Sequence, residues 1–236
     1  MREGGKYNPV QWYIETLIKV ITSPILFFQD MPKGSWKEDS LSFALVTGWI
    51  MALALTFVVF VNSYLPTGLS LIEGIAGKKL IIVIPVLAVM GFVFFAMTAL
   101  IVGGMLILMI LGLLFMCAAV LNFLLILLGG SGNIFEVIKA TLYTSGALLA
   151  GLINIFLMIC VKYKLLSFSN WIAGERVIYY AVCIYLYGLF GILGKKTHKV
   201  TKLKALLAAA VPVVVLILVN IIFSSKILPK FAGFLG

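Results

Sequence analysis

The stretch LIIVIPVLAVMGFVFFAMTALIVGGMLILMILGLLFMCAAVLNFLLILL, residues 80–128, holds 49 residues and no Asp, Glu, Lys, Arg or His. Thr98 and Asn122 are its polar interruptions. A helix of a soluble domain keeps a polar face and is not apolar all round for so many turns. The stretch therefore predicts a segment that lies in a lipid bilayer, around which the rest of the chain is arranged.

The composition of the whole chain agrees with an integral membrane protein. Of its 236 residues 63% are hydrophobic and 11% are charged, and the mean hydropathy is +1.20. The net charge is +10, from 18 Lys+Arg against 8 Asp+Glu. Because the lysines flank apolar runs, they indicate membrane topology and contacts with anionic lipid headgroups on the cytosolic side, and no nucleic-acid partner.

The three cysteines and the scarcity of other ligand side chains bear on metal and cofactor binding. Cys117, Cys160 and Cys183 all fall inside apolar runs and lack the spacing of a metal site. We predict that they are buried free thiols, without disulfides. We expect no metal and no cofactor.

The N-terminal segment predicts an amphipathic helix over residues 8–23. Asn8 suits the N-cap position and Pro9 the first helical position. An apolar stripe at helical spacing consists of Val10, Ile14, Leu17, Ile18 and Ile21. Two interpretations use this stripe equally well: a helix lying on the membrane surface, or one packed on the protein's own cytosolic face. No cleavable signal peptide is visible, so we expect the first span to direct insertion.

The rest of the chain reads as apolar spans separated by short polar loops, which predicts an all-α transmembrane bundle. We divide it into a cytosolic N-terminal segment, residues 1–39, and a transmembrane domain, residues 40–236. The predicted loops are residues 66–79, 129–133, 162–170 and 194–204. Besides the long run, the predicted spans are Phe43–Leu65, Ala140–Val161, Val177–Leu193 and Ala205–Phe223.

The number of crossings depends on the long run. As one helix it would measure about 75 Å, against about 30 Å of hydrocarbon, so we expect a bend at Gly103–Gly104. One crossing of this run gives five spans and two crossings give six. Five spans with a cytosolic N-terminus place eleven of the 18 basic residues inside, which the positive-inside rule favours. Those eleven are Arg2, Lys6, Lys19, Lys33, Lys37, Lys139, Lys195, Lys196, Lys199, Lys202 and Lys204.

A glycine-rich turn follows the long run. Its motif residues are Gly129, Gly130, Gly132, Phe135, Glu136 and Lys139. Such a turn before a helix can bind phosphate through free backbone N–H groups. Here no nucleotide-type strand precedes it and the Walker Gly-Lys-Ser/Thr ending is absent. We therefore predict a tight turn between membrane helices.

This turn also resembles the Yip (Ypt-interacting protein) membrane family. The motif is Gly-Gly-x-Gly-x-Ile-Phe-Glu-Val-Ile-Lys, followed by Tyr143. The resemblance runs from about Ile21 to Phe223 and includes an entry segment, a second turn at residues 189–198, and the spacing after it, as in prokaryotic members. The residues that carry these further matches are Pro24, Phe27, Phe28, Met31, Leu189, Gly191, Gly194, His198, Lys202, Ala205 and Pro212.

The resemblance implies five spans, a cytosolic N-terminus and an external C-terminus. The chain departs from the family in three ways: Gly146 stands where proline is frequent, the aspartate-leucine-tyrosine-glycine-proline motif of eukaryotic members is missing, and the polar N-terminal domain is short. These departures favour a prokaryotic-type member in a cytoplasmic membrane and argue against Rab GTPase binding.

Small residues on two spans predict close helix contacts. The residues are Gly146, Ala150, Gly151, Gly188 and Gly191, with Asn154 one turn from Ala150. Such spacing lets helices approach closely, and Asn122, Asn154 and Asn220 can hydrogen-bond between them. The contacts serve either internal packing or a homo-oligomer.

The functional hypothesis is a non-enzymatic membrane protein that organises the membrane or holds partner proteins. We expect no ionisable group within the predicted spans, no nucleophile–base pair and no cofactor motif, which disfavours catalysis and proton-coupled transport. The basic loop contributes Lys195, Lys196, His198, Lys199 and Lys202. The alternatives are a subunit of a larger complex, or a small-molecule or lipid transporter whose path is lined by Tyr179, Tyr185, Asn154 and Asn122.

Overall fold

The computed structural model describes residues 8–32, 34–73, 75, 77–222 and 225, and these residues form helices and turns without a strand. A π-helical segment, Phe60–Tyr64, and two 3-10 segments, Gly77–Lys79 and Thr144–Ala150, lie between α-helices. The α-helices are α1 Pro9–Thr22, α2 Pro24–Gln29, α3 Asp39–Val59, α4 Leu65–Glu73, α5 Leu80–Leu127, α6 Ile134–Tyr143, α7 Gly151–Lys162, α8 Phe168–His198 and α9 Lys202–Ile222.

Five helical segments of the described chain are long and apolar enough to cross a membrane, which confirms the predicted fold class. They are Asp39–Glu73, Leu80–Leu127, Ile134–Lys162, Phe168–His198 and Lys202–Ile222. Because each follows its predecessor through a short connection, the chain alternates between two ends of the bundle. We call the end with the Gly129–Asn133 turn and the α8–α9 connection the turn end, and the other the far end.

Helix α5 runs for 48 residues, and its helical assignment continues through Gly103–Gly104, where we expect a bend. Gly103 serves packing, whereas a Cβ on Gly104 would meet no atom within 4 Å. A Cβ on Gly103 would lie 3.2 Å from the Cβ of Ala52, so the missing side chain lets α3 and α5 approach. The long run therefore forms one span of the five.

The predicted loop at residues 66–79 is helical as far as Glu73. Proline has no N–H for the helical ladder, and its ring crowds the carbonyl one turn earlier. The wider π-helical turn just before Pro66 accommodates this, with the N–H of Leu65 donating to the carbonyl of Phe60. Helix α4 then packs beside the start of α5, where the Tyr64 hydroxyl donates to the Leu87 carbonyl at 2.5 Å.

Helix α8 begins at Phe168, nine residues before its predicted start at Val177. Ser167 caps it by accepting a hydrogen bond from the N–H of Asn170 at 3.2 Å. Glu175 and Arg176 therefore lie within this spanning segment, and so does Lys139 in the segment Ile134–Lys162. These ionisable residues lie in the parts of the helices that extend beyond the predicted spans Ala140–Val161 and Val177–Leu193.

The core joins the N-terminal helices to the spans. Phe28 in α2 and Val20 in α1 are as fully buried as Phe43, Leu121 and Phe190 of the spanning helices. The prediction of buried free thiols is confirmed for Cys117 and Cys183, whereas Cys160 is free but only partly buried. Helices α1 and α2 therefore belong to the folded bundle.

Candidate functional site at the turn end

The glycine-rich turn ends α5 with its backbone N–H groups already bonded. The N–H of Gly129 donates to the Ile126 carbonyl at 2.9 Å, and that of Gly130 to the Leu125 carbonyl at 2.8 Å. Gly129 has φ +86°, the left-handed conformation that this type of helix ending requires. The next two N–H groups, of Ser131 and Gly132, donate to His198. These four donors are used within the protein, as expected for a structural turn and not for a phosphate loop.

His198 joins the turn to α5 and α8. Its side chain is 1% exposed, so its two ring nitrogens must find partners within the protein. The N–H of Gly132 donates to Nδ1 at 3.1 Å, and Nε2 lies 3.0 Å from the Oδ1 of Asn122. Because Nδ1 accepts, the neutral imidazole with its proton on Nε2 satisfies both bonds. His198 is therefore a buried structural residue.

Two glycines of the turn leave room for this histidine. A Cβ on Gly130 would lie 2.8 Å from the Cβ and Nδ1 of His198. A Cβ on Gly132 would meet the carbonyl oxygen of Thr197 and lie 2.7 Å from the imidazole ring. The sequence-predicted turn and basic loop thus form one junction, which we call the histidine junction: residues 129–133 with Asn122 and His198.

The basic loop continues from the histidine junction. Lys199 adopts φ +54° and ends α8, so the chain reverses before α9 begins at Lys202. Lys204 returns to the junction, since its Nζ donates to the Leu128 carbonyl at 2.8 Å, where a cation complements the C-terminal end of α5. Lys195, Lys196, Lys199 and Lys202 remain exposed on the surface.

The other motif residues of the turn divide between surface and interior. Asn133 caps α6 by accepting a hydrogen bond from the N–H of Phe135 at 3.0 Å. Phe135 is 54% exposed and Glu136 is also exposed. Lys139 points inward, is 4% exposed, and donates from Nζ to the Gly34 carbonyl at 3.0 Å. This last bond ties the α2–α3 connection to α6.

Helix α1 is attached to the bundle near both its ends. The hydroxyl of Tyr13 lies 2.9 Å from the Oγ1 of Thr47 in α3. The hydroxyl of Tyr185 in α8 donates to the carbonyls of Val20 and Ile21, at 2.8 and 3.1 Å. Asn8 is the predicted N-cap, and its side chain accepts a hydrogen bond from the N–H of Val10 at 3.0 Å.

Helix α1 presents three different faces. The face on the bundle carries the buried residues Tyr13, Thr16 and Val20. The polar face carries the exposed residues Gln11, Glu15 and Lys19. The remaining face carries most of the predicted apolar stripe, which is 45–63% exposed at Val10, Ile14, Ile18 and Ile21. The residues that pack on the bundle are therefore largely different from the apolar stripe, most of which remains exposed.

A cavity of about 740 Å³ lies beside the histidine junction, between α2, α8 and α9. Lys195, Lys196, Lys199 and Lys202 line one part of it. Gln29 also lines it, and the other lining residues are apolar side chains and two glycines: Ile25, Phe28, Gly188, Gly191, Ile192 and Leu206.

The predicted helix-packing residues are used in several ways. A Cβ on Gly146 would lie 2.9 Å from Leu17 Cδ1, and one on Gly191 would lie 2.6 Å from Leu206 Cδ2. Gly151 approaches Met51 in the same way, at 3.2 Å, and Ala150 is half-buried nearby. A Cβ on Gly188 would meet no atom within 4 Å. Three of these glycines serve contacts inside the bundle, and Gly188 faces open space.

The four residues predicted to line a transport path each have a different hydrogen-bond partner. Tyr179 donates to the Leu216 carbonyl at 2.6 Å, Tyr185 holds α1, and Asn122 bonds His198. The backbone carbonyl of Asn154 accepts a bond from Trp171 Nε1 at 3.3 Å. A second cavity, of about 230 Å³, lies near Tyr64 and Gly91. Within the described chain, neither cavity is lined by any of these four residues.

Sequence reasoning missed the partner of His198. Asn122 and His198 are 76 positions apart, and the histidine stands among lysines, which suggests a solvated loop. The one available signal was a lone asparagine in an otherwise apolar run, because such a residue needs a hydrogen-bonding partner in the membrane. In the described residues, no group of three or more His, Cys, Asp or Glu is arranged to hold a metal ion.

Comparison with known proteins gives one family. The family model described as the Yip1 domain matches residues 18–223, which includes the histidine junction and all five spanning segments up to Ile222. No curated protein and no solved structure gives a significant match.

Proposed function

Because the chain belongs to the Yip1 domain family, we propose that this integral membrane protein is a non-enzymatic scaffold. It holds partner proteins or organises lipids through the surface of its turn end. We propose that it is a prokaryotic-type member in a cytoplasmic membrane, with a cytosolic N-terminus and an external C-terminus. The positive-inside count and the missing eukaryotic motif support these finer assignments.

The proposal depends mainly on one observation: polar groups at the turn end form hydrogen bonds within the protein. The turn donors, His198, Asn122 and Lys204 all bond within the protein. These bonds fix the α5–α6 turn and the α8–α9 connection relative to each other, and they engage both ring nitrogens of His198 within the protein. What remains exposed is a surface: Phe135, Glu136, the basic loop and the apolar stripe of α1. A fixed surface of this kind suits recognition.

Photocrosslinking in cells tests the scaffold. A photoreactive amino acid replaces Phe135 at the turn end or Leu69 at the far end, both of which are more than half exposed. We expect discrete crosslinked protein products from position 135 and none of them from position 69. The same products from both positions, or none from position 135, would contradict a partner-holding surface at the turn end.

Flux measurements separate the scaffold from a transporter. Purified protein in liposomes should leave a proton gradient intact and should not turn over or accumulate small-molecule substrates. A proton-dependent flux in these vesicles would contradict the scaffold proposal.

The apolar stripe of α1 requires a test that leaves the core intact. Removing residues 1–28 would delete Val20 and Phe28 from the core, so loss of recruitment in that variant could reflect unfolding. A single cysteine replaces either Ile18 or Glu15 in a Cys160→Ser background. The two positions lie within one helical turn of α1, on two different exposed faces. With a fluorophore attached, we expect brominated lipids to quench position 18 and to spare position 15. Equal quenching would contradict a helix lying in the interface.

A further inference from the structure

The cavity between α2, α8 and α9 has a charged part and an apolar part, arranged along α8. Gly188, Gly191, Ile192 and Lys195 are spaced three, four and seven residues apart, so they share one face of the helix. At 1.5 Å per residue, about 10 Å separates Gly188 from Lys195 along the axis. The lining therefore changes from apolar to cationic over about 10 Å toward the turn end.

The charged part gathers four ammonium groups from two helices and their connection. Lys195 and Lys196 lie in the last turn of α8, Lys199 lies in the reversal, and Lys202 begins α9. Among the described residues that line the cavity there is no Asp or Glu, and Gln29 is the other polar residue. The cluster therefore calls for an anion from outside the protein.

Helix electrostatics explain only part of this cluster. Lysines in the last turn of α8 complement the negative end of its dipole, which is a common arrangement for solvated lysines. Lys202 stands at the N-terminus of α9, where the dipole is positive and a cation is unfavourable. An anion at the N-terminus of α9 would be favoured by that helix end and by the nearby lysines, whose charges also offset the negative C-terminal end of α8.

The apolar part distinguishes a lipid from a soluble anion. Ile25 and Phe28 of α2, Gly188 and Ile192 of α8, and Leu206 of α9 line this apolar part. Gly188 leaves open space where a side chain would stand. A volume of about 740 Å³ is within the range of small-ligand sites, about 300–1,000 Å³. It suits a headgroup with the first part of its acyl chains.

We propose that this cavity binds one anionic phospholipid, with its phosphate among Lys195, Lys196, Lys199 and Lys202 and its acyl chains against Gly188, Ile192 and Leu206. The site lies at the end of two spanning helices, where headgroups meet the hydrocarbon. The assignment rests on the lipid-organising part of the proposed function and names its lipid class; the crosslinking test at Phe135 concerns partner proteins and leaves it unaffected.

Native mass spectrometry of the full chain in mild detergent tests the site by counting bound lipids. Phosphatidylglycerol and phosphatidylcholine with identical acyl chains are titrated separately. We expect one phosphatidylglycerol to bind more tightly than any phosphatidylcholine. Equal binding of the two lipids would overturn the proposal, because the lysines would then have no role in selection.

Paired charge variants separate the cavity from general attraction to a basic surface. Lys196→Gln with Lys202→Gln removes two cavity charges. Lys19→Gln with Lys37→Gln removes two exposed charges outside the cavity. We expect the cavity pair to weaken binding of the first phosphatidylglycerol about ten-fold or more, and the control pair to change it less than about two-fold. An equal loss in both pairs would overturn the proposal.

A third variant and a competitor test the acyl part. Gly188→Leu fills the apolar space without changing charge, and leucine favours the helix more than glycine does. We expect it to lower phosphatidylglycerol binding while the thermal midpoint is maintained; unchanged binding would overturn the proposed acyl contact.

Glycerol 1-phosphate carries the anion without acyl chains. We expect it not to displace the lipid, and displacement at equal concentration would assign the cavity to a soluble anion.

Discussion

The Nε2 atom of His198 lies 3.0 Å from the Oδ1 atom of Asn122, and this hydrogen bond joins the end of α8 to the interior face of α5. Both side chains are buried, at 1% and 8% exposure. Each residue therefore satisfies a polar group that would otherwise be left without a partner in an apolar core. The bond gives a direct physical reason for a histidine among lysines and an asparagine in an apolar span.

Replacing His198 by alanine should destabilise the bundle by about 3 kcal/mol, because Asn122 and the N–H of Gly132 both lose their partner. The free energy of unfolding in mixed micelles, measured by denaturant titration, checks this. The second variant is Asn122→Ala, and the double variant completes a cycle. We expect a coupling energy of about 1–2 kcal/mol. Strictly additive losses would mean that the two side chains do not interact.

Gly132→Ala should disrupt the turn, since its Cβ would meet the Thr197 carbonyl and the His198 ring. Gly112→Ala is the matched control, because its Cβ would meet no atom within 4 Å on an exposed part of α5. We expect a clear fall in thermal midpoint for the first and an unchanged or slightly raised midpoint for the second. Equal midpoints would show that the turn can move away from His198 without cost.

Alkaline pH should loosen α1 through Tyr13. Burial raises the pKa of the Tyr13 phenol, and the hydrogen bond to Thr47 opposes this in part. The neutral phenol is thus the form that the fold stabilises. Its contribution is fully present below the ordinary tyrosine pKa of about 10, and is lost as pH rises through the higher pKa of the folded state.

Fluorescence anisotropy of a label at Glu15→Cys, in a Cys160→Ser background, checks the Tyr13 prediction. We expect α1 to gain mobility above about pH 10, and Tyr13→Phe to reduce that pH dependence. The same alkaline transition in Tyr13→Phe would assign it to another group.

The two ends of the bundle should be accessible from opposite sides of the membrane. The sequence points to Lys196 and Gly236 as test positions, but Gly236 lies outside the described residues. Lys164, exposed between α7 and α8, replaces it. Cysteines at positions 196 and 164 should react with an impermeant maleimide from the cytosolic and the external side, respectively. An external cysteine at 196 would reverse the proposed orientation.

Much of the fold was predictable because lipid imposes a simple rule on sequence. Long apolar runs gave five spans, and Asn8 and Pro9 marked the start of α1. The ends of spans were less predictable. Glycine, proline and charge usually mark loops, yet a π-helical turn carries the helix through Pro66, and Ser167 starts α8 ahead of Glu175.

The candidate site was predictable only in part. The sequence identified the glycine turn and the basic loop separately. Their meeting at His198 depends on tertiary contacts across 66 residues, for which sequence spacing carries no signal. The two interpretations of α1 were undecided for the same reason, because Tyr13, Thr16 and Val20 became recognisable as a separate face only once the bundle was assembled.

The uninterrupted α5 has a consequence for the choice of membrane. Its 48 residues measure about 72 Å, more than twice the hydrocarbon thickness of about 30 Å. Apolar side chains in its first half, such as Ile81 and Phe92, are more than 70% exposed, so their contact with water would be unfavourable. Such a helix fits a flat bilayer only at a steep incline, and a thicker bilayer lets it stand more upright. We therefore expect this protein to be sensitive to bilayer thickness, and to sort into the thicker regions of a membrane.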